Sequence, residues 1–120
     1  MKKRQALHIE GRHLLLDLKG CRQETLNDLD FLKAVLVSIA EQADNPIIGR
    51  SFHRFDPQGV SGIVLINGAH LCIHTWPEYG YAAIDIFTYG NELQPEVAAK
   101  LLVEKLETKD SSIVELRRGF

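Results

Sequence analysis

Five histidines are the first candidates for chemistry in this sequence of 120 residues. His70 and His74 are four residues apart, a spacing that would let them share a metal ion on one face of a helix. In a strand the same spacing spans roughly 13 Å, too far for one ion with bonds of about 2 Å. Strand-like sequence surrounds this pair, and no cysteine or acid spacing supports His13 and His53. We therefore predict no metal site.

The other polar and aromatic candidates each have a purely structural interpretation. Ser61 lies in the segment Gly-Val-Ser-Gly and would end a turn and start a strand, while Phe55 and Trp76 would pack at strand ends. Glu78 lies in a Pro-Glu-Tyr-Gly segment that is typical of a solvated turn. Tyr89 would fill space in the core. The residue types alone do not indicate a function, so a functional role must be argued from a longer and more specific sequence motif.

The elements that must position these side chains follow from hydrophobic periodicity and turn residues. A helix is predicted from Thr25 to about Ala43, because apolar residues recur at spacings of three and four. Thr25, Asn27 and Asp28 would cap its start, and Asn45-Pro46 would end it. A second helix is predicted to begin near Pro95. The predicted strands cover residues 7–19, 47–55, 61–67, 70–76, 81–88 and about 112–117.

This order of elements indicates an α+β fold, a two-layer sandwich of an antiparallel sheet with two helices on one face. Residues 63–66 and 82–84 are apolar at consecutive positions, so both faces of those strands require burial. We expect a second copy to cover the other face, with dimerisation through the sheet or its edge. A tilted helix or a loop over that face is the alternative.

Length and composition predict one soluble domain, residues 1–120. A net charge of -2 gives no reason to expect nucleic acid or an anionic membrane as a partner. The basic start, residues 1–4, is followed by charged residues rather than an apolar stretch, so we expect no signal peptide. Cys21 and Cys72 do not suggest a disulfide framework. A cytoplasmic protein is expected.

Residues 52–90 closely resemble the central region of the small prokaryotic S-adenosylmethionine decarboxylase proenzymes. The run from His74 to Gly80, His-Thr-Trp-Pro-Glu-Tyr-Gly, is the most specific part, and the Gly-Arg-His-Leu segment at 11–14 also matches. The resemblance implies a protein of the polyamine (spermidine) biosynthesis type, and it covers nearly the whole chain. In that family a serine cleaves the chain and becomes a pyruvoyl cofactor, which then accepts electrons during decarboxylation.

The positions that carry this chemistry differ here. The family's cleavage segment has serine, glutamate, serine and histidine, where this chain has Asn67-Gly68-Ala69-His70. The resemblance therefore places the processing serine at Ala69, which has no nucleophile. Tyr89 stands where the family has the cysteine that donates a proton. Cys72 and the Asn67-Gly68 bond offer no route to a pyruvoyl group, so no cofactor is expected.

The positions that surround the substrate are retained. The resemblance places His74 at the histidine that assists elimination and Ser61 at the serine that assists processing. It places Phe55, Trp76 and Glu78 in the ligand pocket. Aromatic faces can hold an adenine ring or a sulfonium, and a carboxylate can accept hydrogen bonds from ribose hydroxyls.

The leading hypothesis is therefore an unprocessed, inactive homologue that keeps the fold, the dimer and a pocket for S-adenosylmethionine or a similar nucleoside. It would form a homodimer, or a heterodimer with an active paralogue. One alternative is an active decarboxylase with unusual chemistry, and another is a purely structural dimeric module. Deliberate replacement of a serine would explain Ala69 but not Gly68 or Tyr89.

Overall fold

The computed structural model describes residues 10–90 and 92–120. Six strands and three helices alternate along the chain in the order β-α-α-β-β-β-β-α-β. The strands β1 to β6 are Glu10–Lys19, Ile47–Arg54, Val60–Ile66, Ala69–Trp76, Tyr81–Tyr89 and Asp110–Gly119. The helices α1 to α3 are Gln23–Leu26, Leu29–Ala40 and Pro95–Lys105. Residues 7–9 of the predicted first strand and the basic start at 1–4 lie outside the described residues.

The six strands form one antiparallel sheet with the order β2-β3-β4-β5-β1-β6. The central strands β4 and β5 therefore lie between β3 and β1, and each is hydrogen-bonded on both sides. Their sequences are rich in β-branched and aromatic residues, which fit a pleated surface. The predicted α+β class and antiparallel sheet are confirmed.

The helices cover one face of this sheet and bury its alternate side chains. In β3 and β4 the buried positions alternate with more exposed ones, as expected when one face meets the core. Leu71 and Ile73 of β4 are fully buried beneath the helix layer, together with Leu36 of α2 and Leu102 of α3. The prediction of helices on a single face is confirmed.

The other face carries no helix within residues 10–90 and 92–120, and we call it the open face. Side chains on this face include His13 and Leu15 of β1, His53 of β2, Ser61, Ile63 and Leu65 of β3, His70, Cys72, His74 and Trp76 of β4, Tyr81, Asp85 and Phe87 of β5, and Val114 and Leu116 of β6. Apolar and polar side chains are mixed on the open face, and some of its apolar side chains, such as Leu65 and Val114, are exposed to solvent.

The predicted helix from Thr25 to Ala43 is two helices in the structure. Residues 27 and 28 separate them, because Asp28 has an extended backbone and its side chain accepts a hydrogen bond from the Phe31 amide. Asp28 is thus the N-cap of α2 rather than an interior residue of one long helix. None of the described helices is long and apolar enough to cross a membrane.

Candidate functional site

A serine and a histidine from neighbouring strands form the polar centre of the site. Ser61 of β3 and His74 of β4 lie directly opposite each other in the antiparallel register. Their side chains project from the open face, and Ser61 Oγ is 2.8 Å from His74 Nδ1. The other ring nitrogen, His74 Nε2, is 3.6 Å from Cys72 Sγ. The imidazole therefore contacts two side chains, one through each nitrogen.

A cavity of about 410 Å³ opens beside this pair. Its lining residues are Phe55, Gln58, Gly59, Ser61, His74, Thr75, Trp76 and Glu78. Five of them are candidates from the sequence, and they come from β3, β4 and the segments that follow β2 and β4. The structure thus brings all five candidates to one cavity, which combines two aromatic rings, a carboxylate and a hydroxyl–imidazole pair.

Thr75 fixes the strand end beneath this cavity. Its buried hydroxyl donates to the Leu26 carbonyl oxygen at 2.8 Å, where α1 ends, and accepts from the Val60 amide at 2.9 Å. The Asn27 side chain accepts a hydrogen bond from the Gly59 amide at 2.9 Å. The break between α1 and α2 therefore serves the site, because it anchors the segment that carries Gly59 and leads into Ser61.

Gly59 is needed where the chain passes close to β4. Its φ of +109° is one that residues with a side chain rarely adopt, and an added Cβ would lie 3.2 Å from the Thr75 carbonyl oxygen. The Gly59 carbonyl accepts a hydrogen bond from the Phe55 amide at 2.8 Å. This tight loop directs the Phe55 ring to the cavity.

A short 3₁₀ turn, Pro77–Tyr79, positions Trp76 and Glu78. The Trp76 ring stacks on Tyr81 with 5.2 Å between ring centroids, and the Tyr81 hydroxyl donates to Asp17 at 2.5 Å. This hydrogen bond raises the pKa of Tyr81 above its usual value. Tyr81 therefore remains a neutral support that orients the tryptophan.

A second cavity of about 260 Å³ lies on the other side of the Ser61–His74 pair. It is lined by Ser51, His53, Ser61, Gly62, Ile63, Cys72 and His74. His53 packs edge-on against Phe55 with ring centroids 4.6 Å apart. The sequence had offered His53 only as an unsupported metal ligand and Cys72 only as an unsuitable nucleophile. Alternation along β2 and β4 was the signal that could have placed both on the face of Ser61.

Ala69 and Tyr89 lie at the opposite end of β4 from His74. Ala69 begins β4 and is buried, with 5% of its surface exposed. Tyr89 ends β5, is 41% exposed, and donates its amide hydrogen to the Gly68 carbonyl at 2.8 Å. His74 is five residues after Ala69 along the strand, which corresponds to about 17 Å. Within one chain, the structure does not join these two positions to the cavity.

The segment before Ala69 is a two-residue hairpin turn, Asn67-Gly68, between the paired residues Ile66 and Ala69. The φ of Gly68 is +85°, whereas Asn67 is not among the residues with positive φ. The positive φ therefore falls on the second turn residue alone, the position at which a type II turn favours glycine. An added Cβ at Gly68 would lie 3.1 Å from Glu92 Cγ. The turn is therefore closely packed as well as left-handed.

Two further histidines pack near this end of the open face. His70 stacks on Phe87, and His13 lies edge-on to both rings. Burial, followed by the neighbouring His13, lowers the pKa of His70, whereas Asp85 acts in the opposite direction. Among residues 10–90 and 92–120, no three histidine, cysteine or acidic side chains are placed to hold a metal ion.

Comparison with known proteins identifies a family with a similar sequence. The family model for "S-adenosylmethionine decarboxylase" matches residues 12–119. An S-adenosylmethionine decarboxylase proenzyme of Thermodesulfovibrio yellowstonii is 51% identical over 110 residues, which cover 92% of this chain and 82% of that protein. The corresponding proenzyme of Clostridium kluyveri is 44% identical over 110 residues, 92% of this chain and 87% of the relative.

A solved structure supports the same assignment. The crystal structure of the adenosylmethionine decarboxylase from Aquifex aeolicus superposes with a TM-score of 0.85 at 28% sequence identity. The match covers 93% of this chain and 92% of the other. Sequence and fold agree along almost the whole length, and this chain therefore belongs to the S-adenosylmethionine decarboxylase family.

Proposed function

We propose that this chain is a member of the family that binds S-adenosylmethionine, or a closely similar nucleoside, without being processed into a decarboxylase. It would act in polyamine (spermidine) biosynthesis in the cytoplasm, as a binding or partner subunit. The observation that carries the proposal is the contrast between the two ends of β4. One end holds the cavity with all five candidate residues, while the other begins at Ala69, which has no hydroxyl.

The cavity offers groups that suit a nucleoside sulfonium. The faces of Phe55 and Trp76 can contact an adenine ring, and an aromatic face attracts a cationic sulfonium by roughly 0.5–2 kcal/mol. The Glu78 carboxylate can accept two hydrogen bonds from neighbouring ribose hydroxyls. A volume of about 410 Å³ lies within the range of small-molecule pockets.

The residues present do not fit the family's pyruvoyl group. That group arises from a serine side chain, and the corresponding methyl group of Ala69 supplies neither the attacking oxygen nor the leaving group for elimination. Ala69 is also paired with Ile66 and Thr88 in regular sheet structure. We therefore derive no reaction step through a pyruvoyl group.

A dimer would bring one end of β4 in one chain close to the other end of β4 in the second chain. A two-fold axis through the middle of the open face would place the Ala69 end of one chain near the Ser61–His74 pair of the other. This proposal is supported by the separation of about 17 Å within one chain and by the partly apolar open face. In a heterodimer, a serine-bearing paralogue would receive Ser61 and His74 from this chain.

Mass spectrometry of the purified chain tests the absence of processing. We expect a single uncleaved mass and no fragment that begins with a pyruvoyl group. An assay of carbon dioxide release from carboxyl-labelled S-adenosylmethionine should show no turnover above buffer. Two fragments or a measurable turnover would instead support the second candidate, an active decarboxylase with unusual chemistry.

Calorimetric titration with S-adenosylmethionine tests the pocket. We expect binding by the unmodified chain and its loss in Trp76→Ala, because the largest aromatic wall of the cavity is removed. Phe120→Ala is the matched control, since Phe120 is exposed at the end of the chain and should leave binding unchanged. No heat and no change in melting temperature for the unmodified chain would favour the purely structural dimer.

Co-expression with a serine-bearing member of the family tests the partner role. Affinity purification through a tag on this chain should recover both proteins in equal amounts. The serine-bearing protein should retain processing even when its own histidine at the His74 position is replaced. Loss of processing in that combination would contradict the heterodimer.

A further inference from the structure

The His74 ring has a specific hydrogen-bonding requirement. Its Nδ1 faces Ser61 Oγ at 2.8 Å and its Nε2 faces Cys72 Sγ at 3.6 Å. A neutral imidazole has one N–H donor and one lone-pair acceptor, so the two contacts must be of opposite kinds. Either Ser61 donates to Nδ1 while Nε2–H points at sulfur, or the thiol donates to Nε2 while Nδ1–H points at the serine oxygen.

The surroundings of Cys72 distinguish these two arrangements. Cys72 lies directly opposite Asp85 in the register of β4 and β5, and both side chains are on the open face. Burial, and then the charge of Asp85, raise the pKa of the Cys72 thiol, so the sulfur keeps its hydrogen. A sulfur that keeps its hydrogen still has lone pairs, and these can accept the hydrogen of His74 Nε2 across the 3.6 Å contact.

The hydrogen-bond strengths agree with this choice. A hydroxyl is a strong donor and the imidazole lone pair is a good acceptor, so the short contact suits Ser61 as donor. A thiol is weak in both roles and suits the longer contact. The strong hydroxyl donor of Ser61 then pairs with the good acceptor Nδ1, and the weak thiol acceptor of Cys72 pairs with Nε2–H at the longer distance.

We propose that Cys72 is a positioning residue that holds His74 in the Nε2–H form, so that Nδ1 accepts the Ser61 hydroxyl hydrogen. Ser61 then presents its oxygen lone pairs to the cavity. The group of the ligand that meets this wall must therefore be a hydrogen-bond donor, such as a hydroxyl or an amine. The statement about the ligand rests on the proposed function, whereas the statement about His74 does not.

Nuclear magnetic resonance of the ligand-free protein tests the ring directly. The two ring nitrogens of ¹⁵N-labelled histidine differ in chemical shift according to whether they carry hydrogen. The spectrum is recorded at about pH 8, where an ordinary imidazole is neutral. We expect Nε2 of His74 to be the protonated nitrogen and Nδ1 the unprotonated one. The reverse assignment would overturn the proposal.

Variants of Cys72 test its role in setting this form. Cys72→Val has a similar shape but cannot contact Nε2 through a polar group, so a mixture of the two ring forms is expected. Cys72→Ser restores a polar partner and should restore the Nε2–H form. Cys21→Ala, which removes the other thiol, is the control and should leave the His74 signals unchanged. An unaltered ring form in Cys72→Val would contradict the role of the cysteine.

Titration with S-adenosylmethionine separates the proposal about the ligand of the cavity from the proposal about Cys72 and His74. Cys72→Val should weaken binding by about fivefold, the loss expected for one hydrogen bond, with Cys72→Ser close to the unmodified chain. Equal affinities for Cys72→Val and the unmodified chain would overturn the claim that Ser61 selects a donor. Failure of the unmodified chain to bind would refute the proposed ligand, while the ring form would still decide the role of Cys72.

Discussion

Thr75 is the residue on which the geometry of the site most depends. It is one of two buried polar residues in the described core, the other being Thr88. Its hydroxyl joins β4 to the end of α1 and to the start of β3, so one side chain holds three elements that border the cavity. Thr75 also lines the cavity, and its hydrogen bonds hold the strand ends that carry Trp76 and Ser61.

We predict that Thr75→Val lowers the free energy of unfolding by about 2–3 kcal/mol, since the Leu26 carbonyl and the Val60 amide both lose a buried partner. Thr88→Val is a matched comparison, because Thr88 accepts one hydrogen bond, from the Leu93 amide. Its cost should be about 1 kcal/mol. Urea denaturation measures both, and equal costs would show that the two contacts of Thr75 contribute little.

A second prediction concerns the pH dependence of stability. The pKa of His70 is lowered in the folded state, chiefly by burial, so the unfolded chain binds more protons near and below the ordinary value of about 6.5. The free energy of unfolding should therefore be greatest above about pH 7 and fall as the pH is lowered towards about 5.5. His70→Gln should flatten this slope.

Carboxylates affect the free energy of unfolding in a separate and lower pH range than His70. Hydrogen bonds from Arg12 lower the pKa values of Glu96 and Glu115, so the stability that these residues supply is lost only as the pH falls below about 4.5. Denaturation curves at several pH values separate the two ranges. An unchanged slope between about pH 7.5 and 5.5 in His70→Gln would contradict the role of this histidine.

The site residues show what a single sequence can and cannot reveal. The run around His74, Trp76 and Glu78 was specific enough to single out three of the residues that line the cavity. The roles of Thr75 and Cys72 were not predictable, because each depends on a neighbour that pairing of distant strands brings close. Thr75 meets Leu26 only because β4 crosses the end of α1.

At the level of elements, the hairpin between β3 and β4 has a tightly packed two-residue turn. Its two turn residues, Asn67 and Gly68, connect strands that are already paired at Ile66 and Ala69. Gly68 has positive φ, and an added Cβ would lie 3.1 Å from Glu92 Cγ. Both properties make glycine the favoured residue at this position.

We predict that Gly68→Ala lowers the free energy of unfolding by about 1–2 kcal/mol from the left-handed backbone alone, with a further loss from the contact with Glu92. Gly90→Ala is the control, because Gly90 also has positive φ but an added Cβ would contact nothing within 4 Å. Thermal or urea denaturation should show the larger loss for Gly68→Ala. Equal losses would show that Glu92 moves aside without cost.

The helix break shows why element boundaries were harder to predict than element types. The apolar periodicity runs through Leu29, Leu32 and Leu36 and correctly indicated a helix that packs on the sheet. The sequence identified Thr25, Asn27 and Asp28 as capping residues. It could not show that Asn27 bonds to the distant Gly59 and leaves Asp28 as the N-cap of α2.

At the scale of the whole molecule, the two layers leave one face of the sheet partly apolar. Leu65 on this face is 42% exposed, although it lies in β3, between two other strands. A soluble protein gains by covering such a face, and a second copy does so symmetrically. The proposed dimer would therefore bury Leu65.

We predict that Leu65→Lys converts the dimer to a monomer, because it places a charge in the proposed interface. Val97→Lys is the matched control, since Val97 is 44% exposed but belongs to α3 in the helix layer. Sedimentation velocity at several concentrations should show a dimer for the control. A dimer in both variants would locate the interface elsewhere, and a monomeric unmodified chain would contradict the dimer itself.

The tight Asn67-Gly68 turn has a consequence for evolution. A substitution of Ala69 by serine would add a hydroxyl, but the peptide bond beside it would still belong to a hairpin whose strands are paired at Ile66 and Ala69. Any residue other than glycine at position 68 would also have to adopt positive φ and fit against Glu92. A substitution at residue 68 should therefore be accepted more readily after residue 92 has changed than before.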